Sequence, residues 1–236
     1  MNFSLKRARA IFVKDYKEFT RNYGLSIMLF VPIIFAIIFR GAGPNLPGAI
    51  GFLLNLSFVL LTCFAQACLF AEEKERSTLR SLMMTPATTL DVLIGKSALV
   101  FVLSTIALSI SILILGYKPP SLWAFVAATL FSIILYTSLG TICGLYSKTL
   151  VDASFSILPV SIIFSGAPWG AVFENDYPIL KVLNYMPSSQ LVHLLNVPRT
   201  GFTVEDLTKP LLFIMSWTVV VTVVSVVLYQ RRLKDE

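Results

Sequence analysis

Glu72-Glu73-Lys74-Glu75-Arg76-Ser77-Thr78-Leu79-Arg80-Ser81-Leu82-Met83-Met84-Thr85-Pro86 is a knot of charges and hydroxyls wedged between two long apolar runs. The run before it ends at Ala71, and Lys96 marks the start of the next, so the insert has room for only a few helical turns. It stays close to a membrane surface. A chain that is oily on both sides of such a segment offers it to water, where something soluble can grip it.

Working outward, the composition supports a membrane setting. Of 236 residues, 56% are hydrophobic and 14% charged, which places the chain among integral membrane proteins. Charge-free stretches cover 22–39, 41–71, 97–117, 119–147, 153–173 and 210–230. At about 1.5 Å per helical residue each can cross a hydrocarbon core of about 30 Å, the first only if Arg21 and Arg40 snorkel. The expectation is an all-α polytopic protein with six transmembrane helices, forming one domain over 1–236. Lysine and arginine set its orientation, since they collect on the cytoplasmic side. With the N-terminus inside, 14 of the 19 basic residues lie inside and 5 outside. Both termini are therefore expected in the cytoplasm. The net charge of +6 follows from this asymmetry and from affinity for anionic lipid; the basic residues form no patch suited to nucleic acid.

The first 20 residues carry a pattern of their own. Leu5, Ala8, Phe12, Tyr16 and Phe19 fall on one helical stripe, opposite Lys6, Arg7, Lys14, Lys17, Glu18 and Arg21. This predicts an interfacial helix over 2–21, serving as an anchor or as a lever that also touches a cytoplasmic partner. The basic region ahead of the first apolar run and the lack of a small-x-small site argue against a cleaved signal. Between the last two spans, residues 166–196 mix apolar turns with Pro168, Pro178, Asn184 and Pro187. Such interrupted segments suit two short re-entrant helices, the second including Ser188 to Leu195; a surface loop with one amphipathic turn is the alternative.

Several chemistries find no support. Gly95-Lys96-Ser97 lacks the earlier glycine of a phosphate-binding loop, since Leu90 stands there. His193 is the only histidine, and the three cysteines have no metal spacing, so no metal site or catalytic constellation is expected. Every acidic residue lies outside the six apolar cores, which weakens a carrier driven by protons or sodium. Asp91 and the charges of the knot are expected to keep the insert in water.

The order of an amphipathic helix, six spans, a charged helical insert after span two and a broken apolar segment before span six resembles the membrane subunits of type-two ATP-binding-cassette exporters. The insert carries the likeness through Glu73-Lys74-Glu75-Arg76-Ser77-Thr78-Leu79, Thr85-Pro86 and Gly95-Lys96, with Ser77 where that family often has glycine and Arg80 where it often has an acid. The resemblance implies that 72–90 is a coupling insert docking on a separate cytoplasmic ATPase through Glu73, Glu75, Arg76, Ser77, Thr78, Leu79, Arg80, Leu82, Met83, Thr85 and Pro86. Lys14 and Lys17 of the interfacial helix are further docking candidates. Leu79, Leu82 and Met83 form one apolar ridge suited to a groove, Ser77 or Thr78 can cap the helix, and Pro86 stops it. A solvated connector is the plainer reading of the same residues.

The same resemblance implies no catalytic residue and no cofactor on this chain, with ATP and Mg bound by the ATPase. It also implies a second permease copy meeting this one through spans one and five, and a bacterial inner membrane as the site of action. Phe30, Phe35, Phe58, Phe155 and Phe164 are candidates to line the path, which would suit an amphiphilic cargo: a drug, a lipid or a hydrophobic peptide. Two other readings stay open from the residues: a membrane assembly protein recruiting a cytoplasmic factor, and a secondary carrier.

Overall fold

The computed structural model of the chain describes residues 3–41, 48–75, 88–174, 176–198, 201 and 203–235. In chain order the elements are α1 (Leu5–Arg21), α2 (Tyr23–Gly41), α3 (Ala49–Glu75), α4 (Thr89–Leu115), α5 (Leu122–Tyr146), α6 (Leu150–Ala171), a 3-10 helix (Pro178–Tyr185), α7 (Pro187–Leu195) and α8 (Val204–Asp235). No strand occurs among the described residues. The six helices α2 to α6 and α8 are long and apolar enough to span a bilayer, as the hydrophobic runs predict.

The bundle is built around α3, the most enclosed span, whose Leu53, Leu54, Phe58, Cys63, Ala67 and Ala71 are fully buried. Helix α5 lies hard against it because two glycines, one turn apart, remove the side chains that would hold the backbones apart. A Cβ on Gly144 would sit 2.7 Å from the Ala67 carbonyl oxygen, and one on Gly140 would collide with the carbonyl of Cys63. Polar side chains then fix the register: Thr62 Oγ1 donates to Ser104 Oγ of α4 at 2.9 Å, and Gln66 Nε2 donates to Thr141 Oγ1 of α5 at 3.0 Å. The long outer contact of α5 is with α8. Apolar residues on the outward faces of α2 and α6, such as Ile34, Ile37, Phe155 and Ile162, stay uncovered within the protomer.

The structure departs from the sequence expectations in several places, each for a local reason. Helix α2 contains a 3-10 turn at Met28–Phe30. Pro32 has no N–H to offer the Met28 carbonyl, which accepts from Val31 instead. Helix α3 instead widens into a π-turn over Phe58–Cys63, and does not stop at Ala71 but continues through Glu75. Residues 72–75 therefore belong to the span's own helix, and Thr88 already caps the next one. Pro168 and its neighbouring glycines do not end α6, which runs to Ala171. The two short helices expected between the last spans are present, and α7 is buried in the bundle. It is held by Asn55 Nδ2 donating to Ser188 O at 3.3 Å and by Tyr117 Oη donating to Leu195 O at 3.1 Å.

The buried face of α1 is also rotated from the expected stripe. Ala8, Ile11, Asp15 and Phe19 face inward, while Leu5 is 75% and Tyr16 49% exposed. The helix packs on α4, and Gly95 makes this possible: a Cβ there would lie 2.8 Å from the Ala8 carbonyl oxygen. A lipid surface alone would have selected the most apolar stripe. A packed neighbour carrying a charge selects the stripe that contains Asp15.

Candidate functional site

Residues 76–87 lie outside the described residues, so the docking candidates Arg76, Ser77, Thr78, Leu79, Arg80, Leu82, Met83, Thr85 and Pro86 have no structural account here. Both roots of that insert are described. Each is tied into the bundle by charge.

At the first root, Glu73 is 2% exposed and meets two ammonium groups, Lys14 Nζ at 2.6 Å and Lys96 Nζ at 3.0 Å. Lys96 is fully buried and reaches Asp15 Oδ2 at 3.2 Å and the Leu69 carbonyl at 3.4 Å. Its ammonium also lies 5.2 Å from the centroid of the Phe70 ring. Two cations from α1 and α4 thus face two carboxylates from α1 and α3, with Glu18 of α1 a further 3.6 Å from the partly exposed Lys14. Such a set is tolerated in a dry interior only while all its members are present, because a remaining partner would be a buried charge without compensation. Burial pushes the Asp15 carboxyl above its ordinary value; the Lys96 ammonium opposes this, and the Glu73 carboxylate adds to the rise. For Lys14 burial works the other way, yet the Glu73 carboxylate outweighs it and the amine is held above the usual lysine value.

The next two residues reach the other side of α3. Lys74 Nζ donates to the carbonyls of Gly144 and Ser147 at 3.2 Å each, and to that of Leu145 between them. These are the last carbonyls of α5, where the negative end of the helix dipole favours a cation. Glu75 Oε2 accepts from the Leu150 N–H at 2.9 Å, at the positive start of α6. One turn of α3 thereby pins the α5–α6 corner.

At the second root, Thr88 and Asp91 form a capping box. The Asp91 N–H donates to Thr88 Oγ1 at 3.2 Å, and the Thr88 N–H donates to Asp91 Oδ2 at 2.8 Å. Asp91 also accepts from the Ser4 N–H and from Arg7 Nε, both at 2.7 Å. Instead of facing water as expected, Asp91 is fully buried, clamping the start of α4 to the start of α1. Helix α8 joins the same region through Tyr229, whose ring stands edge-on to Phe70 with centroids 5.9 Å apart.

The other sequence candidates are placed as follows. Lys14 belongs to the ion cluster, Lys17 is exposed on α1, and Glu75 is exposed beside α6. Glu73 is buried between the enclosed Lys96 and the partly exposed Lys14, so its carboxylate is not presented to water. The five phenylalanines do not come together. Phe58 and Phe164 are sealed inside the protomer on either side of Tyr136, with centroids 5.3 and 5.6 Å from its ring. Phe35 packs with Phe39 and Phe52, while Phe30 and Phe155 point outward.

Sequence reasoning missed Asp15, Lys74, Asp91 and Arg7 as parts of the junction and took Lys96 as a span boundary and as part of the Gly95-Lys96 step of the family resemblance, not as a buried ion-pair partner. One signal was available: Asp15 is spaced by 4 from Ile11 and from Phe19 and so interrupts an apolar face. A charge on a packed face needs a partner.

Comparison with known proteins gives one finding. The model of the family described as ABC-2 family transporter protein matches residues 41–228. No individual curated protein matches the sequence.

Proposed function

Since the chain belongs to the ABC-2 transporter family, whose membrane subunits imply an ATP-binding partner, we propose that it is the permease of an ATP-driven exporter and that the charged junction is its force-bearing joint. In this reading a separate cytoplasmic ATPase binds ATP and Mg and grips residues 76–87. Closure of the ATPase moves the insert, and the helices fixed to its roots follow as rigid bodies between inward-open and outward-open arrangements. Both termini and the insert lie on the cytoplasmic side of a bacterial inner membrane.

The observation that carries this reading is the double anchoring of the insert. Its first root is bonded to α1, α4, α5 and α6 and its second to α1, so a displacement that reaches either root is passed on to those helices. A solvated connector would need none of these bonds. Two copies meeting through the uncovered apolar faces of α2 and α6 would enclose a path poor in charge, which favours an amphiphilic cargo.

The test is flux in proteoliposomes holding the permease with its ATPase, with and without ATP, using a panel of lipidic and drug-like cargoes. ATP-dependent outward movement is the expected result. Flux without nucleotide would establish a secondary carrier instead, and ATPase binding with no flux of any cargo would establish an assembly protein.

A further inference from the structure

Beside the junction, α4, α5 and α8 do not close on one another. A groove of about 530 Å³ runs between them, walled by Leu93, Ile94 and Phe101 of α4, Ile134 of α5 and Thr222 and Val226 of α8. Serine and threonine residues also line it, but their hydroxyls are committed elsewhere. Thr137 Oγ1 donates to Ile133 O at 2.7 Å, Ser138 Oγ to Ile134 O at 3.0 Å, Thr141 Oγ1 to Thr137 O at 3.0 Å and Ser225 Oγ to Thr222 O at 3.1 Å. With these donors turned back into their own helices, Ser138 and Thr222 joined to each other at 3.0 Å and Ser97 accepting from Gln66 Nε2 at 3.4 Å, the groove presents mainly methyl and methylene surface. A polar ligand would find little to bond there, whereas a hydrocarbon chain would lose nothing.

Length and position identify which hydrocarbon. On α4 the groove extends from Leu90 to Phe101, about 16 Å at 1.5 Å per residue. Half of a bilayer core is about 15 Å. Its lower end is level with the first turn of α4, and on α8 it stops at Val226, just short of Arg231 and Arg232. Arg231 is exposed, and the Arg232 guanidinium lies over the Tyr146 ring at 5.7 Å from its centroid. An apolar slot one leaflet deep, with Arg231 and Arg232 following five and six residues beyond Val226 on α8, matches a lipid with an acyl chain above and an anionic headgroup below.

We propose that this groove seats one acyl chain of an anionic phospholipid from the leaflet on the basic side of the bundle, its phosphate held by Arg231 and Arg232. The site rests on the membrane-spanning reading but uses neither the ATPase nor the cargo path. A bound lipid would wedge α4 against α8 next to the buried ion cluster and so stiffen the joint.

The full-length permease in nanodiscs of phosphatidylglycerol and phosphatidylethanolamine, doped with phosphatidylglycerol bearing a diazirine in its acyl chain, tests the idea directly. Illumination and peptide mapping are expected to label 90–101, 134–141 and 222–226 severalfold more than the exposed positions Ile162 and Ile163 of α6. Ala98→Trp and Thr222→Trp, which fill the groove from opposite walls, should each lower that labelling severalfold, and Ile162→Trp should not. Arg231→Gln with Arg232→Gln should remove the advantage of phosphatidylglycerol over a diazirine phosphatidylethanolamine. Even labelling around the bundle, labelling untouched by both groove-filling changes, or a second permease copy crosslinked into the groove would overturn the proposal. Nucleotide-driven flux would remain standing in any of those cases, so the two readings fail separately.

Discussion

Replacing Lys96 with methionine removes the central cation of the junction while keeping its length and most of its volume. Asp15 and Glu73 then lose an ammonium at 3.2 and 3.0 Å. Glu73 keeps Lys14 at 2.6 Å, but Asp15 is left with Lys14 at 3.7 Å, beyond a strong hydrogen bond. Removing one partner of a buried pair costs about 3–5 kcal/mol, because the remaining charge is stranded in a dry interior. That corresponds to roughly two to four powers of ten in the folded-to-unfolded ratio. The assay is thermal and denaturant unfolding of the full chain in detergent, followed by tryptophan fluorescence, beside ATP-driven flux.

The pH dependence has a definite sign. Asp15 already binds its proton more tightly in the folded protein than its ordinary value allows, and loss of Lys96 tightens it further. The contribution of Asp15 to the stability of Lys96→Met is therefore greatest below about pH 4 and falls as pH rises through the folded value of Asp15. Adding Asp15→Asn to Lys96→Met removes the stranded charge while Glu73 keeps Lys14, and should recover a large part of the loss. A Lys96→Met protein as stable as wild type, or a double variant no better than the single one, would refute the idea that Lys96 balances a buried carboxylate.

Three further outcomes are expected. Gly144→Leu should push α5 away from Ala67 and Phe70, lowering stability by about 1–3 kcal/mol or more, read as a drop in melting temperature, whereas Gly166→Leu, where no atom lies near, should not. Thr88→Ala deletes one half of the capping box and should cost about 1 kcal/mol, with Thr88→Ser recovering most of it in the same unfolding assay. Arg76→Glu combined with Leu79→Ala and Leu82→Ala should abolish co-purification of the ATPase while leaving the permease's own unfolding curve unmoved; an intact complex would remove the insert as the docking element.

What could be read from the residues was whatever depends on chain-local chemistry. The six spans followed from uninterrupted apolar runs, since hydrocarbon admits no exposed backbone polarity, and the short helices around Pro178 and Pro187 followed from apolar turns interrupted by proline. The junction was less legible because it is made by pairing across 59 to 87 positions in sequence, between Lys14 and Glu73 or Ser4 and Asp91. From composition alone Asp91 looked like a solvated charge; only the arrival of Arg7 and the Ser4 N–H makes its burial tolerable. The rotation of α1 onto its Asp15 face has the same cause, and the π-turn of α3 leaves no periodic trace because α3 is apolar on every side there.

That π-turn has a geometric consequence for everything beneath it. Six residues are wound with one more than an α-helical course would hold, so the extra residue is absorbed without advancing the helix's angular phase. Were the same residues rewound as plain α-helix, each position below Cys63 would swing by about 100° about the axis. Glu73 would then sweep away from Lys14 and Lys96, while Asn55 above kept its hold on Ser188. The local underwinding is thus the timing mark that brings the upper and lower halves of one helix to their separate partners at once.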